Sequence, residues 1–400
     1  MIKIDDYREV APRGTVDLLL RLADRVRGRR FLHISATRFG GGAAEALQRL
    51  MLLMSELGLD AGWEIIGGDT EFYATAKAIT AALQGEERVL TEEMLEHYLE
   101  RNRASGGKLP LEADLVLVHD PAPASLVADR PAGGTWVWRC HLDLSAPERR
   151  IWNFFRRYAA RYDAAVFSRP GFVPHLPIPQ FIVHPSIDPL SDKNRELSRR
   201  EIRTILEGVG VPLDKPVLLQ VGAVDRSRDP IGVVNAYRIV KKHHDVRLVL
   251  AGGGGDGPES GEVFAELREA AARDPDIVAL ELPPDAQLQI NALQRAATIV
   301  LQKSVRDGFA IGVAEAMWKG KPVIGGAVGG LPAQIADGVT GYIVRSAEGA
   351  AFWLRHLLNN PELIARMGGV GREHVRRNFL ITRHLSDYLA LLAHLTATPA

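Results

Sequence analysis

Short apolar runs recur along the chain, and most end abruptly in Gly, Ser, His or Asp. They fall at 31–34, 115–118, 136–138, 164–167, 181–183, 217–219, 246–250, 299–301 and 323–324. Continuous runs rich in Val, Ile and Leu suit strands buried on both faces of a parallel sheet. Between them, 43–57, 149–162, 230–242, 263–272 and 312–319 read as helices, as does the final stretch 374–395. Strand alternating with helix over the whole length predicts a parallel α/β architecture, not an all-β fold or a helical bundle.

The alternation breaks once. Residues 174–190, PHLPIPQFIVHPSIDPL, carry five prolines and read as an extended linker. A polar helical stretch follows, and at Lys215-Pro216-Val217 a second α/β series begins. The expected organisation is therefore a Rossmann-like domain over 1–190 and a second over 191–380. A C-terminal helix, 381–400, would by analogy pack back on the first. Four hundred residues suit two domains of about 150–200 each. Parallel sheets bind ligands beyond the carboxyl ends of their strands, so two such domains facing one another would enclose a substrate cleft.

Composition narrows the classes of partner. Lys plus Arg equals Asp plus Glu at 49 each, so no global charge points to nucleic acid. The single cysteine, Cys140, excludes an intrachain disulfide and suits a reducing compartment. No apolar run reaches the ~18–20 residues of a membrane span, and the charged N-terminus does not read as a secretory signal. A cytoplasmic protein is the expectation.

Four clusters carry candidate chemistry. Thr37-Arg38-Phe39-Gly40-Gly41-Gly42-Ala43 joins the first strand to a helix, where backbone N–H groups and the helix N-terminus suit an anion. The same run is equally a tight strand-to-helix turn, and neither a P-loop nor GxGxxG spacing is present. Asp307 and Glu315 lie eight residues apart across a strand-to-helix loop, about two helical turns, so both can face one cleft. Arg226 and Arg228, with Asp225 and Asp229, follow the first strand of the second series and could clamp a diphosphate or form a solvated charged loop. His119-Asp120 and His141-Leu142-Asp143 end successive strands of the first half. They suit a hydroxyl-rich small molecule, or are satisfied structural histidines. A metal site is not expected, since the lone cysteine rules out a thiolate set and no HExxH occurs.

Asp307–Glu315 continues into Ala316-Met317-Trp318-Lys319-Gly320-Lys321-Pro322-Val323-Ile324, then Gly329-Gly330-Leu331 and Asp337-Gly338-Val339-Thr340-Gly341-Tyr342. This resembles the nucleotide-sugar segment of retaining GT-B glycosyltransferases. A narrower resemblance, to the trehalose glycosyltransferring synthases, rests on four segments in the first half of the chain. They are the run from Ser35 to Gly42, Val118-His119-Asp120-Pro121, the run from Trp138 to Ser145, and the run from Pro185 to Ser191.

The resemblance implies transfer of glucose from a nucleoside diphosphate glucose to a small sugar acceptor, glucose itself. The product is trehalose or a close analogue, made with retention, no metal and no separate cofactor. Glu315 would hold the ribose hydroxyls. Asp307 and the backbone of Gly308, Phe309, Ala310 and Ile311 would hold the donor sugar. Gly40, Gly41, Gly42, Arg226 and Arg228 would hold the diphosphate, His141 would sit beside the donor sugar, and Arg38, Asp120 and Asp143 would lie near the acceptor. Together His141, Asp307 and Arg228 form the expected catalytic set. Analogy alone would make the protein a homodimer with no membrane or nucleic-acid partner.

Three positions depart from the group's pattern. Its usual Arg, and the Lys five residues on, are here Ala223 and Arg228, and the first acid of its Glu-x7-Glu is Asp307. These changes leave alternatives open: a non-glucose or cyclitol-type donor, as pseudo-glycosyltransferases use; a trehalose phosphorylase; or a non-catalytic sugar-nucleotide-binding protein.

Overall fold

A computed structural model describes residues 2–38, 41–253 and 258–396. The chain divides into two units, 1–185 with 381–400, and 186–380. Each is built on one six-stranded, wholly parallel sheet.

In the first unit the strands are β1 (Arg30–Ser35), β2 (Asp60–Ile65), β3 (Leu115–His119), β4 (Thr135–Cys140), β5 (Ala164–Phe167) and β6 (Gln180–Ile182). Their spatial order is β2-β1-β3-β4-β5-β6. The second unit holds β7 (Val217–Val221), β8 (Arg247–Gly252), β9 (Ile277–Glu281), β10 (Ile299–Gln302), β11 (Val323–Gly326) and β12 (Gly341–Val344), in the order β12-β11-β10-β7-β8-β9. Counted from β7, that is the 3-2-1-4-5-6 order of a dinucleotide-type Rossmann sheet. The chain reverses direction across the sheet between β1 and β3 in the first unit, and between β7 and β10 in the second. Those switch points are where a doubly wound sheet opens a ligand crevice.

The central strands carry the apolar runs and are buried on both faces; β3 and β7 are buried at every residue. Helices cover them through their apolar faces. In the first unit Phe72, Tyr98, Phe155 and Trp138 meet in one core, and in the second Tyr237, Phe264, Leu267 and Leu354 meet in another. Three strands fall outside the runs read from the sequence, β2, β9 and β12; β9 (IVALE) and β12 (GYIV) do carry short apolar runs, and β2 (DAGWEI) does not. All three are sheet edges. An edge strand is half-solvated, so its sequence need not be apolar throughout.

The final stretch is not one helix. It breaks into Pro361–Asn378 and Ile381–Leu395, with Phe379 and Leu380 buried between them and Leu380 bridging to Ile187. That break is also where the chain passes from the second unit to the first. Within the first unit, Ile381–Leu395 packs on the helix Thr15–Arg25. Among the described residues, no helix is long and apolar enough to cross a membrane.

One buried lysine joins three stretches of the second unit. Lys319, 7% exposed, donates from Nζ to Asn194 Oδ1 at 2.8 Å, Gln294 Oε1 at 2.7 Å and the Glu315 carbonyl at 3.2 Å. Burial pushes its pKa down to about 7, against the opposing pull of Glu315. The unfolded chain keeps this proton to about pH 10.4, so between those values the unfolded state binds more protons and stability rises with pH. Denaturant unfolding from pH 7 to 10 is expected to show that rise, up to about 1.4 kcal/mol per pH unit, and Lys319→Met to flatten it. Equal slopes in the two proteins would contradict this account.

Candidate active site

In the second unit the loops after β7 and β10 meet at the switch point and are laced together. The carbonyl of Ser227 accepts the N–H groups of Val305 at 2.8 Å and Arg306 at 3.2 Å. A buried glutamine stands at the end of β10 and another next to the end of β7. Gln220 donates to the Arg228 carbonyl at 2.8 Å, and Gln302 donates to Asp307 Oδ2 at 3.1 Å. The same Asp307 oxygen accepts from Ser304 Oγ at 2.8 Å and is paired with Arg228 Nη1 at 2.8 Å. The Asp307 side chain is 2% exposed and that of Arg228 27%, so a nearly buried carboxylate anchors a cation that reaches solvent. Asp225 caps the turn Arg226–Arg228. Asp229, at φ +50°, caps the helix Pro230–Lys241 and pairs with Lys303.

The segment 308–311 is held from below. The Gly330 N–H donates to the Gly308 carbonyl at 2.6 Å, and Gln334 Nε2 donates to the carbonyls of Phe309 and Ala310. Ala310 sits at φ +56°, a left-handed conformation that side chains other than Gly, Asn and Asp rarely adopt. Such backbone strain is retained where its surroundings over-determine it, as at ligand-binding loops. Ile311 then starts the helix Gly312–Trp318, whose buried Glu315 faces Lys193 Nζ at 3.6 Å.

Arg228, Asp307, the 308–311 backbone and Glu315 thus lie along one strand-end loop system. Arg226 does not join them. It is half exposed and pairs with Glu266 at 2.8 Å on the helix Pro258–Arg273. Ala223 lines a cavity of about 10 Å³ with Arg228 and Gln302, room for a single water.

In the first unit the switch point opens a cavity of about 120 Å³ lined by Ser35, Thr37, Trp63, His119, Asp120 and His141, among others. The helix Gly41–Glu56 starts beside it, so Gly41 and Gly42 are helix-start residues; Gly40 lies outside the described residues. Asp120 and His141 come together: Asp120 Oδ1 accepts the His141 backbone N–H at 2.9 Å, and the ring Nδ1 lies 3.1 and 3.2 Å from the two carboxylate oxygens. Burial opposes the Asp120 charge, but the His141 ring and backbone N–H outweigh it and hold the carboxyl below its usual range. Arg38 and Asp143 do not line this cavity. Arg38 donates to the Trp63 carbonyl at 2.6 Å, and Asp143 accepts from the Ser145 N–H at 3.0 Å. Among the described residues no cluster of three His, Cys, Asp or Glu could hold a metal ion.

Sequence reasoning overlooked Gln220, Gln302, Ser304 and Gln334. The first two have a signal: each is a polar residue continuing a buried apolar strand, VLLQV and IVLQ. Such a residue needs a partner, and at a strand's carboxyl end the partner is a site loop.

Two wholly parallel sheets with these switch-point loops fit the GT-B glycosyltransferase fold. The fold agrees with an α,α-trehalose-phosphate synthase from Burkholderia xenovorans, at a TM-score of 0.73 and 13% identity over 91% of this chain and 99% of that one. Residues 33–174 match the family model for the trehalose synthase N-terminal domain, and 201–374 that for group 1 glycosyl transferases. The chain is 43% identical to a trehalose synthase of Pyrococcus horikoshii over 98% of its own length and 96% of the relative's. A trehalose phosphorylase of Grifola frondosa is 26% identical over 93% of this chain and 58% of the relative. The chain belongs to the trehalose synthase family of group 1 glycosyltransferases.

Proposed function

We propose that the protein is a cytoplasmic, retaining glucosyltransferase that moves glucose from a nucleoside diphosphate glucose to glucose, forming trehalose. One observation carries the reading: the Arg228–Asp307 pair at the switch point of a Rossmann-ordered sheet, in a chain of the trehalose synthase family. Arg228 carries a guanidinium to where a diphosphate would lie and so would stabilise the departing phosphate. Asp307 and the strained 308–311 backbone would hold the donor sugar, and Glu315 the ribose. The first unit's cavity, with Ser35, Thr37, Asp120 and His141 offering polar groups and Trp63 an aromatic wall, suits an uncharged, hydroxyl-rich acceptor.

The test is nucleoside diphosphate release from UDP-, ADP-, GDP- and TDP-glucose, with and without glucose, followed by product analysis. Glucose-dependent release and an α,α-linked disaccharide are expected, with activity retained in EDTA. Absence of release with every donor would overturn the reading, and phosphate-dependent breakdown of trehalose would replace it with a phosphorylase.

A further inference from the structure

The cavity of the first unit is backed by a ladder of rings. His141 stacks on His119, centroids 5.9 Å apart and planes 12° from parallel. His119 Nε2 lies 3.0 Å from His33 Nδ1, and His33 meets the edge of Tyr388 at 6.3 Å and 90°. His33 is wholly buried, which pushes its pKa down to about 4, and burial together with His33, His141 and Arg139 holds His119 well below the ordinary histidine range. The rings behind His141 are therefore uncharged and in contact, and they block rotation of its imidazole toward the core.

The other constraint is Asp120. It follows β3 at φ +61°, and this left-handed turn is held by its N–H donating to the Arg139 carbonyl at 2.8 Å and by Trp138 Nε1 donating to its carbonyl at 3.2 Å. The turn swings the carboxylate against the end of β4, where it accepts from the backbone and faces the ring Nδ1 of one residue, His141. A carboxylate that already accepts can only accept again, so Nδ1 must donate. That leaves Nε2 as the ring nitrogen available to the cavity His141 lines.

We propose that Asp120 is a positioning residue that fixes the neutral His141 ring with its proton on Nδ1, so that Nε2 faces the cavity as a hydrogen-bond acceptor for a substrate hydroxyl. Asp120 then acts through His141. A ring locked this way discriminates by chemistry: it welcomes an O–H donor and rejects a group that can only accept, such as a fully ionised phosphate.

The inference rests on the proposed transfer reaction only for its kinetic arm. The direct test is a long-range proton–nitrogen NMR correlation on full-length protein labelled at the histidine ring nitrogens, recorded above the imidazole titration. The His141 signals are assigned by their loss in His141→Asn. The wild type is expected to carry its proton on Nδ1. Asp120→Asn should fold, because Asn tolerates the left-handed region as Asp does. With its charge gone and an N–H available, it should place the proton on Nε2 or mix both forms. Its kcat/KM for glucose should fall about 10–100-fold, as for residues that orient a functional histidine. A wild-type proton on Nε2, or an unchanged Nδ1–H in Asp120→Asn, would overturn the assignment without any substrate. So would an unchanged kcat/KM in an Asp120→Asn protein whose ring proton has moved to Nε2.

Discussion

Lengthening Asp307 to the glutamate usual in this group is expected to lower activity, not raise it, and shortening Arg228 to lysine at the same time is expected to recover much of the loss. Asp307 is one methylene shorter than the usual acid, and Arg228 reaches one bond farther than the usual lysine. The two departures face each other at 2.8 Å. The span from one strand-end loop to the other is thus conserved while its midpoint moves toward Asp307. Asp307→Glu alone pushes a carboxylate about 1 Å into a site already filled by Gln302 Nε2, Ser304 Oγ and Arg228 Nη1. Displacements of that size at a reacting centre cost about 100-fold. Arg228→Lys alone falls short of the aspartate and leaves it with less than its full set of partners.

A double-mutant cycle on kcat/KM should therefore show a coupling of about 0.5–3 kcal/mol, the range for residues in direct contact. Additive losses, or a gain from Asp307→Glu by itself, would show that the two positions are independent. Removal is harsher. Asp307→Ala leaves the Arg228 charge uncompensated, and a drop in kcat/KM of about 10²–10³ is expected from the misplaced cation. Stability should fall too, by less than the ~3–5 kcal/mol of a fully buried pair, because the Arg228 side chain is 27% exposed.

The α/β class and the central strands were legible because a strand buried on both faces must be apolar along its length, as β3 and β7 are. Edge strands were legible unevenly: β6 was read from the run at 181–183, whereas β2, with half-solvated residues such as Asp60 and Glu64, gives no such signal. At the site, Asp307 and Arg228 stood out as charges at strand ends, but that they share one oxygen with Ser304 and Gln302 is a property of the switch point, which joins β7 to a strand some eighty residues later. Arg226 shows the converse. Sequence places it two residues from Arg228, and the short turn between them sends the two side chains to different partners, Glu266 and Asp307. Asp120 and His141 were both legible as strand-end residues. Their pairing was not, because it depends on a left-handed backbone at Asp120 that any sequence pattern leaves open.

A single methyl group at Gly329 is expected to silence donor binding while the sheet stays folded. Gly329 sits at φ +54°, and a Cβ there would overlap the carbonyl oxygen of Asp307 and lie 2.6 Å from that of Gly308. Both obstacles are backbone, so no side chain can swing aside, and the positive φ adds its own cost for alanine. The segment from Asp307 to Phe309 must move, and with it the carboxylate that anchors Arg228. Gly330 makes the same demand from the next residue, since a Cβ there would stand 2.6 Å from the Phe309 Cα. Gly329→Ala should lose about 100-fold or more in kcat/KM, with nucleoside diphosphate affinity reduced and stability lowered by about 1–3 kcal/mol, as for overpacking. Gly338→Ala is the control. It too has a positive φ, +73°, but nothing lies within 4 Å of its would-be Cβ, so it should show the backbone penalty alone and keep its activity. If the two variants lost activity alike, the close approach of Gly329 to the donor loop would not be what makes glycine necessary there.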